Sequence, residues 1–386
     1  PVYLQRVFWF FGKGRTIRKT RVVDSFQVKH DAQLFLLTMF QVDYSEGDSE
    51  VYLMPMTWLS LEQVAGLSER HPLSVIAALT LGPQEGMLCD ALYFEEFRTL
   101  LFGLIAERVR LQGDNGAMLI GHPGSGVTRT DPPRSELFPS RVAAVEQNNT
   151  SILYGDRLLF KMYRKLDEGI NPEPEILRFL GGKSRFRQVP VYAGKVEYKA
   201  ANGKSYDLGV LQTYIACHGD AWRNTLTSLA QFVEHLLAHR HDLPKLPSKL
   251  PTLLEVAETG IPEQFSDLVR SLHIEMALLL GRRTAEMHRA LSSGPADSPW
   301  GREEFSSLYQ RSLFQSMRGL LRKNFQRLGA QLGSLPEPVQ ERAQRMLAAE
   351  KELIACLQKI TGRRIDAMKC RIHGDLHLGQ ALFTGK

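Results

Sequence analysis

The stretch CRIHGDLHLGQALFTGK, Cys370 to Lys386, decides how this chain is read. It sets His373, Gly374, Asp375, His377 and Gln380 within eight residues. An Asp and a carboxamide thus stand five positions apart, with a histidine on either side of the Asp. The apolar run Ala381 to Phe383, followed by Gly385, reads as a strand arriving at a hairpin turn. A chain that stops there is expected to be a fragment. Pro1 in place of Met fits either a removed initiator or a start inside a longer polypeptide.

Phosphoryl transfer asks for such a set of residues. A carboxylate must orient an acceptor hydroxyl and take its proton, magnesium must neutralise phosphate oxygens, and side chains on a rigid loop must hold that magnesium. An Asp followed five residues later by a carboxamide supplies the first and part of the last, with Asp375 as the catalytic base and Gln380 toward the metal. The same residues have two other readings. His373, Asp375 and His377 are spaced as metal ligands, and any polar turn between a helix and a strand looks similar.

The totals bound the rest. A chain of 386 residues implies two or three domains. Its composition, 43% hydrophobic and 23% charged, is that of a globular protein able to bury sizeable cores. No apolar run approaches a membrane span, and neither terminus reads as a signal peptide. Cys89, Cys217, Cys356 and Cys370 are scattered, as expected of reduced thiols in a cytoplasm. The net charge of +6 is spread along the chain without a dense basic block. That argues against a nucleic-acid partner and suits an enzyme that attracts a polyphosphate.

Along the chain, alternation predicts strands in DAQLFLLTMFQVDY and EVYLMPM around the break SEGDS, and a second pair around GPQEG. Residues 93–110 have helical spacing. GHPGSGVTRTDPPRSELFP reads as a linker, so a boundary is placed at 140. Residues 141–216 then read as a small antiparallel sheet with one helix, in which Asn171 caps, Pro172 takes the first helical position and Gly181 marks the stop. From 217 to 386 the chain is mainly helical, over 224–240, 263–291, 302–332 and 336–361. The order is a β-rich cap (1–140), a small lobe and a helical lobe.

That order strengthens the phosphoryl-transfer reading. Lys161, in the strand LLFKMY, is placed to reach ATP phosphates. Glu175, in NPEPEILRFL, is the expected partner that fixes it, with Glu173 as the alternative. Asn149, Thr150 and Ser151, in the turn EQNNTS, are expected to offer donors to phosphate. Gln212, Thr213 and Tyr214, in VLQTYI, form the expected hinge against adenine. Asp220, between His218 and Trp222, is a candidate for contact with sugar or ribose. Each residue also has an ordinary structural reading, as a strand end, first-turn charge, hairpin turn or packing group.

EQNNTSILYGDRLLFKMYRKLDEGINPEPEILRFL, VLQTYI, RTAEMHRAL around His288 and CRIHGDLHLGQ together resemble the bacterial maltokinases, and WFFGKGR (Trp9 to Arg15) is similar to the start of their N-terminal cap. The resemblance implies an α+β, protein-kinase-like bilobal fold of the aminoglycoside phosphotransferase type. It implies ATP and Mg2+ as cofactors, maltose as acceptor and maltose 1-phosphate as product for α-glucan synthesis, with a trehalose synthase domain often fused in front. Gln at the position of Gln380 is itself a feature of that family. The family's further magnesium Asp, in a sequence similar to DFEG, lies beyond Lys386, so this chain alone is expected to be catalytically crippled. His373 and His377 are assigned to loop or substrate support, and His288 to a core brace. A glucosamine or aminoglycoside kinase of the same fold, and a non-catalytic nucleotide-binding module fused to a glycan enzyme, are the alternatives.

Three further patterns carry little. GHPGSGVT, Gly121 to Thr128, lacks the Lys of a phosphate loop. His235, His239 and His241 lack a further zinc ligand at a useful spacing. Lys183, Arg185 and Arg187 read as a solvated basic loop.

Overall fold

The computed structural model describes residues 1–30, 33–113, 116–127, 139–143, 149–182, 184, 186–238, 252–260 and 271–385. They form two compact units, Pro1–Arg283 with Leu376–Lys386, and Thr284–Asp375.

The first unit holds two antiparallel sheets. Strands β1 (Ile17–His30), β2 (Gln33–Tyr44), β3 (Glu50–Ser60), β4 (Val75–Leu81) and β5 (Gln84–Asp90) run in the order β1-β2-β3-β5-β4. Side chains alternate across a strand, so β2 serves two cores. Phe35, Leu37 and Met39 enter the large core, while Phe40, Val42 and Tyr44 pack on the opposite face with Trp9 and Phe10, just beyond helix α1 (Val2–Arg6). Helix α2 (Leu61–Arg70) follows β3 and was not anticipated from the sequence. Its N-terminus carries a capping box in which the Ser60 side chain accepts from the Gln63 N–H and the Gln63 side chain accepts from the Ser60 N–H.

The second sheet contains β6 (Arg110–Gln112), β7 (Met118–Pro123), β8 (Ser140–Val142), β9 (Asn149–Tyr154), β10 (Leu158–Tyr163), β12 (Tyr192–Lys199) and β13 (Ser205–Thr213), in the order β6-β7-β12-β13-β10-β9-β8. The boundary expected at 140 therefore does not coincide with a structural break. β6 and β7 precede it, yet β7 pairs with β12. The linker expected to begin at Gly121 starts instead as strand, and a Cβ on Gly121 would lie 1.7 Å from the Leu104 carbonyl oxygen. That glycine lets β7 approach helix α3 (Glu95–Ala106), which is buried almost all round and meets the first sheet through Phe97 against Phe35.

The two sheets are also stitched directly. The short β11 (Lys165–Leu166), two residues past β10, pairs with β3. Between them Arg164 is buried. Its guanidinium donates to Asp90 Oδ2 at 2.6 Å and to Thr150 Oγ1 at 2.8 Å, and it lies over the Trp9 ring at 4.7 Å.

Helix α4 (Pro172–Gly182) starts as the sequence predicts, with Asn171 Oδ1 accepting from the Glu173 N–H. The later helices are α5 (Ala221–Ala238), α6 (Leu253–Thr259), α7 (Ser271–Leu291), α8 (Ser307–Gln331), α9 (Glu337–Ala348) and α10 (Glu350–Gln358). The single helix expected over 336–361 is two, separated at Ala349. Within the second unit, buried Gln310 of α8 donates to the carbonyls of Ile360 and Arg363 at 2.6 and 2.8 Å. Strands β14 (Glu303–Glu304) and β15 (Met368–Lys369) pair ahead of the Asp375 loop. Among the described residues no helix is long and apolar enough to cross a membrane.

Candidate functional site

Lys161 sits in the middle of β10, opposite Ser151 on one side and Val210 on the other. Its ammonium donates to Glu173 Oε1 at 2.8 Å, with the two side chains 24% and 31% exposed. The partner at bonding distance is thus Glu173 and not Glu175, which corrects the pairing expected from sequence. Asn171 and Pro172 fix the start of α4 and turn Glu173 toward the sheet. Glu175, two residues on, is rotated by ~200° around the helix axis. Asp207 secures the same helix start, accepting from the Asn171 N–H at 3.1 Å while pairing with Lys195 at 2.5 Å. Beside the pair, burial and then the Glu173 carboxylate push the Tyr163 phenol far above its usual range.

Asn149, Thr150 and Ser151 are strand residues of β9, paired with Tyr163, Met162 and Lys161, not turn residues as expected. Thr150 is buried and its hydroxyl accepts from Arg164, so that side chain is committed to the interior. The rest of the expected turn, residues 144–148, lies outside the described residues.

The expected hinge also differs in detail. Gln212 pairs with Leu159 and Tyr192 inside the sheet. Thr213 donates its N–H to Val191 at 3.0 Å, and Tyr214 donates to Arg157 at 2.8 Å. These two backbone donors are spent within the fold. The amides of Ile215, Ala216 and Cys217, just beyond, enter no backbone hydrogen bond among the described residues.

After the hinge, Asp220 caps α5, its Oδ1 accepting from the Arg223 N–H at 2.8 Å. Its backbone lies against the segment that follows Gln380: His218 donates to the Phe383 carbonyl, Phe383 to Gly219 and Ala221 to Ala381, with Asp220 bridged to Leu382. Trp222 is 54% exposed, so it is not a packing residue. In the loop, Gly374 has a φ of 87°, a left-handed turn that favours glycine between His373 and Asp375. His373 Nδ1 accepts from the Asp375 N–H at 3.3 Å. His377 Nδ1 accepts from the Gly379 N–H at 3.1 Å, and its Nε2 lies 3.4 Å from the Gln380 amide. Both histidines thus shape the loop through their ring nitrogens.

Among the described residues no three His, Cys, Asp or Glu side chains cluster as a metal site. The reading of His373, Asp375 and His377 as a metal centre has no geometry behind it. Gln380 offers one exposed carboxamide oxygen, whereas magnesium is ordinarily held by one or two carboxylates together with phosphates, so Gln380 fits part of such a site and not the whole of it. His288 is half-buried and not part of the core, while its neighbour Met287 is buried. Arg187 donates to the Gly181 carbonyl at 2.9 Å, ending α4. His239, His241, Lys183 and Arg185 lie outside the described residues.

Residues 3–93 match the model of the maltokinase N-terminal cap domain. The match takes in the whole first sheet except β11 and stops just before α3. Among solved structures, the chain is similar to a glucosamine kinase in a second crystal form, with a TM-score of 0.50 and 15% identity over 96% of this chain and 65% of that one. It is also similar to a glucosamine kinase in complex with glucosamine, ADP and inorganic phosphate, with a TM-score of 0.48 and 15% identity over 98% of this chain and 68% of that one. The chain spans about two-thirds of the length of these proteins. The mixed α+β fold, with its β-rich N-terminal region, is the one seen in glucosamine kinase.

Sequence reasoning passed over three residues of this region, Arg164, Asp207 and Tyr163. Asp207 left a signal, since a lone carboxylate inside the apolar strand SYDLGVLQT demands a partner. Arg164 left none, because an Arg after a strand is ordinarily solvated.

Proposed function

We propose that this protein is an ATP-dependent sugar kinase that phosphorylates maltose at its anomeric hydroxyl, giving maltose 1-phosphate for α-glucan synthesis. The observation that carries the reading is the Lys161–Glu173 pair, formed between the sheet and the first helix after it and followed in sequence by His373-Gly374-Asp375 and Gln380. The cap match over 3–93 supports a sugar kinase related to the maltokinases.

In this reading Glu173 holds the Lys161 ammonium where ATP phosphates would meet it. The unengaged amides of Ile215 to Cys217 face the adenine edge, displacing that role from Gln212, Thr213 and Tyr214. Asp375 takes the proton of the attacking hydroxyl, and His373 fixes the turn that presents it. Gln380 offers its carboxamide oxygen to magnesium, with His377 beside it. Magnesium, when bound with the nucleotide, neutralises charge on the phosphate oxygens.

Asp375→Asn in the intact gene product tests the assignment. Transfer to maltose should fall by at least about 100-fold, the low end of a general base's contribution. ATP affinity should stay within about twofold, because a base acts on the acceptor and not on nucleotide binding. An Asp375→Asn protein with unchanged turnover would remove Asp375 from the mechanism.

A further inference from the structure

The cap sheet ends in two edges of opposite character. β1, at one end, exposes Arg18, Lys19, Arg21 and Lys29, and charge on an edge strand keeps other strands from pairing with it. β4, at the other end, reads VIAALTL from Val75 to Leu81 and holds no charge, no proline and no glycine. Its residues Ala77 to Leu81 are all exposed, with Leu79 at 39% and Leu81 at 49%. Among the described residues nothing pairs with its outer side. An apolar edge without such protection is a template for a further strand.

The hairpin sets which groups that edge presents. Gly82 and Pro83 form a two-residue loop between β4 and β5, with Gly82 at a φ of 59°. Leu81 and Gln84 are then a hydrogen-bonded pair, and so, two residues on, are Leu79 and Gly86. Ala78 and Thr80 alternate with them and turn their N–H and C=O groups outward. Among the described residues neither amide enters a backbone hydrogen bond elsewhere in the fold. The edge is also braced. The Trp58 indole N–H crosses β5 and donates to the Leu79 carbonyl at 2.8 Å, passing over Gly86, where a Cβ would lie 2.5 Å from the Trp58 ring.

We propose that β4 pairs with β4 of a second copy of this chain, antiparallel about a two-fold axis at Leu79, so that the two cap sheets become one. In this register the strand is its own complement. Ala78 and Thr80 exchange their hydrogen bonds with Thr80 and Ala78 of the second copy. Leu79 faces Leu79 on the axis, and each Leu81 faces an Ala77, so large side chains meet small ones beside it. No charge opposes the pairing. An unlike partner chosen by charge complementarity would need charge on β4, which offers none, whereas an identical strand needs none. A two-fold axis is also the commonest symmetry by which like chains associate. The assignment holds whether or not the chain is a kinase.

Sedimentation and cysteine trapping of the intact protein test this. Wild type should sediment as a dimer at high concentration. Leu79→Lys sets two ammonium groups opposite each other on the axis and should weaken association at least about tenfold, with a melting temperature near that of wild type. Ala78→Pro removes an outward N–H and no bond to β5, as edge strands tolerate, and should weaken association likewise. Leu79→Cys should give a disulfide-linked dimer under mild oxidation, because residues opposed in a non-hydrogen-bonded pair bring their Cβ atoms close. Arg18→Cys on β1, and wild type with its exposed Cys217, Cys356 and Cys370, should not. Association indifferent to Leu79→Lys, or a cross-link formed as readily by Arg18→Cys, would overturn the proposal. So would wild type that stays monomeric at every concentration with no cross-link from Leu79→Cys, an outcome that would leave the edge to the strand of a different protein.

Discussion

Lys161 and Glu173 are each partly exposed, so solvent screens their 2.8 Å contact and it contributes little stability, ~0–1 kcal/mol. Its value is positional. Lys161→Met should weaken ATP binding at least about tenfold, the loss of one charge-assisted contact, with an almost unchanged melting temperature. Glu173→Gln should weaken it more than Glu175→Gln, and titration with a fluorescent ATP analogue ranks the three. The sequence made Lys161 legible through its place in an apolar strand, but it favoured the wrong carboxylate. Helical rotation decides between residues two apart, and that rotation is fixed only once Asn171 and Pro172 are seen to start the helix. A second residue has a pH signature. Burial acts to raise the Glu50 carboxyl, yet hydrogen bonds from Tyr44, Tyr52 and Lys165 outweigh it and hold it below its ordinary value of 4.5. Its stabilisation is complete above that value and is lost as pH falls through the lower folded value. Urea midpoints followed from neutral pH into the carboxylate range should therefore drop less steeply in Glu50→Gln than in wild type.

At the scale of elements, the β10–Arg164–β11 segment matters most. β10 carries Lys161 in the second sheet, β11 joins the first, and the residue between them is locked to Asp90 and Thr150. Arg164→Met leaves the Asp90 carboxylate buried without its cation and should cost about 3–5 kcal/mol. Chemical denaturation measures it, and a loss below about 1 kcal/mol, the worth of an exposed pair, would show that the pair is not buried in solution. Most strands, helix α3 and helix α4 were legible from alternation and capping. Helix α2 was missed although its Ser60-to-Gln63 box is a local signal. The sequence GHPGSGVT was read as a linker because Gly and Pro suggest loops. Its glycine at 121 instead admits the Leu104 carbonyl, a contact between residues distant in the fold's pairing pattern and invisible locally.

For the first unit as a whole, cap and lobe share one interior. Phe26, Phe35 and Leu37 from the cap sheet lie in the same core as Phe160, Met162 and Val210 from the lobe. Deleting residues 1–93 would expose that surface and strip β3 from β11. The remaining chain should fail to fold by itself, read as loss of protease resistance and of a cooperative melt. The order of cap, small sheet and helices was legible in the sequence, and so was the Asp375 loop. The division between the sheets was not, since strand pairing joins β7 to β12 across more than 70 residues and no local composition records it. The most direct test of the kinase reading is ADP formation by the intact gene product with maltose, glucose, glucosamine or an aminoglycoside as acceptor, with phosphorus NMR of the product. Maltose-dependent ADP release with an anomeric phosphate is the predicted result. ATP binding without turnover on any acceptor would contradict it and leave a nucleotide-binding module.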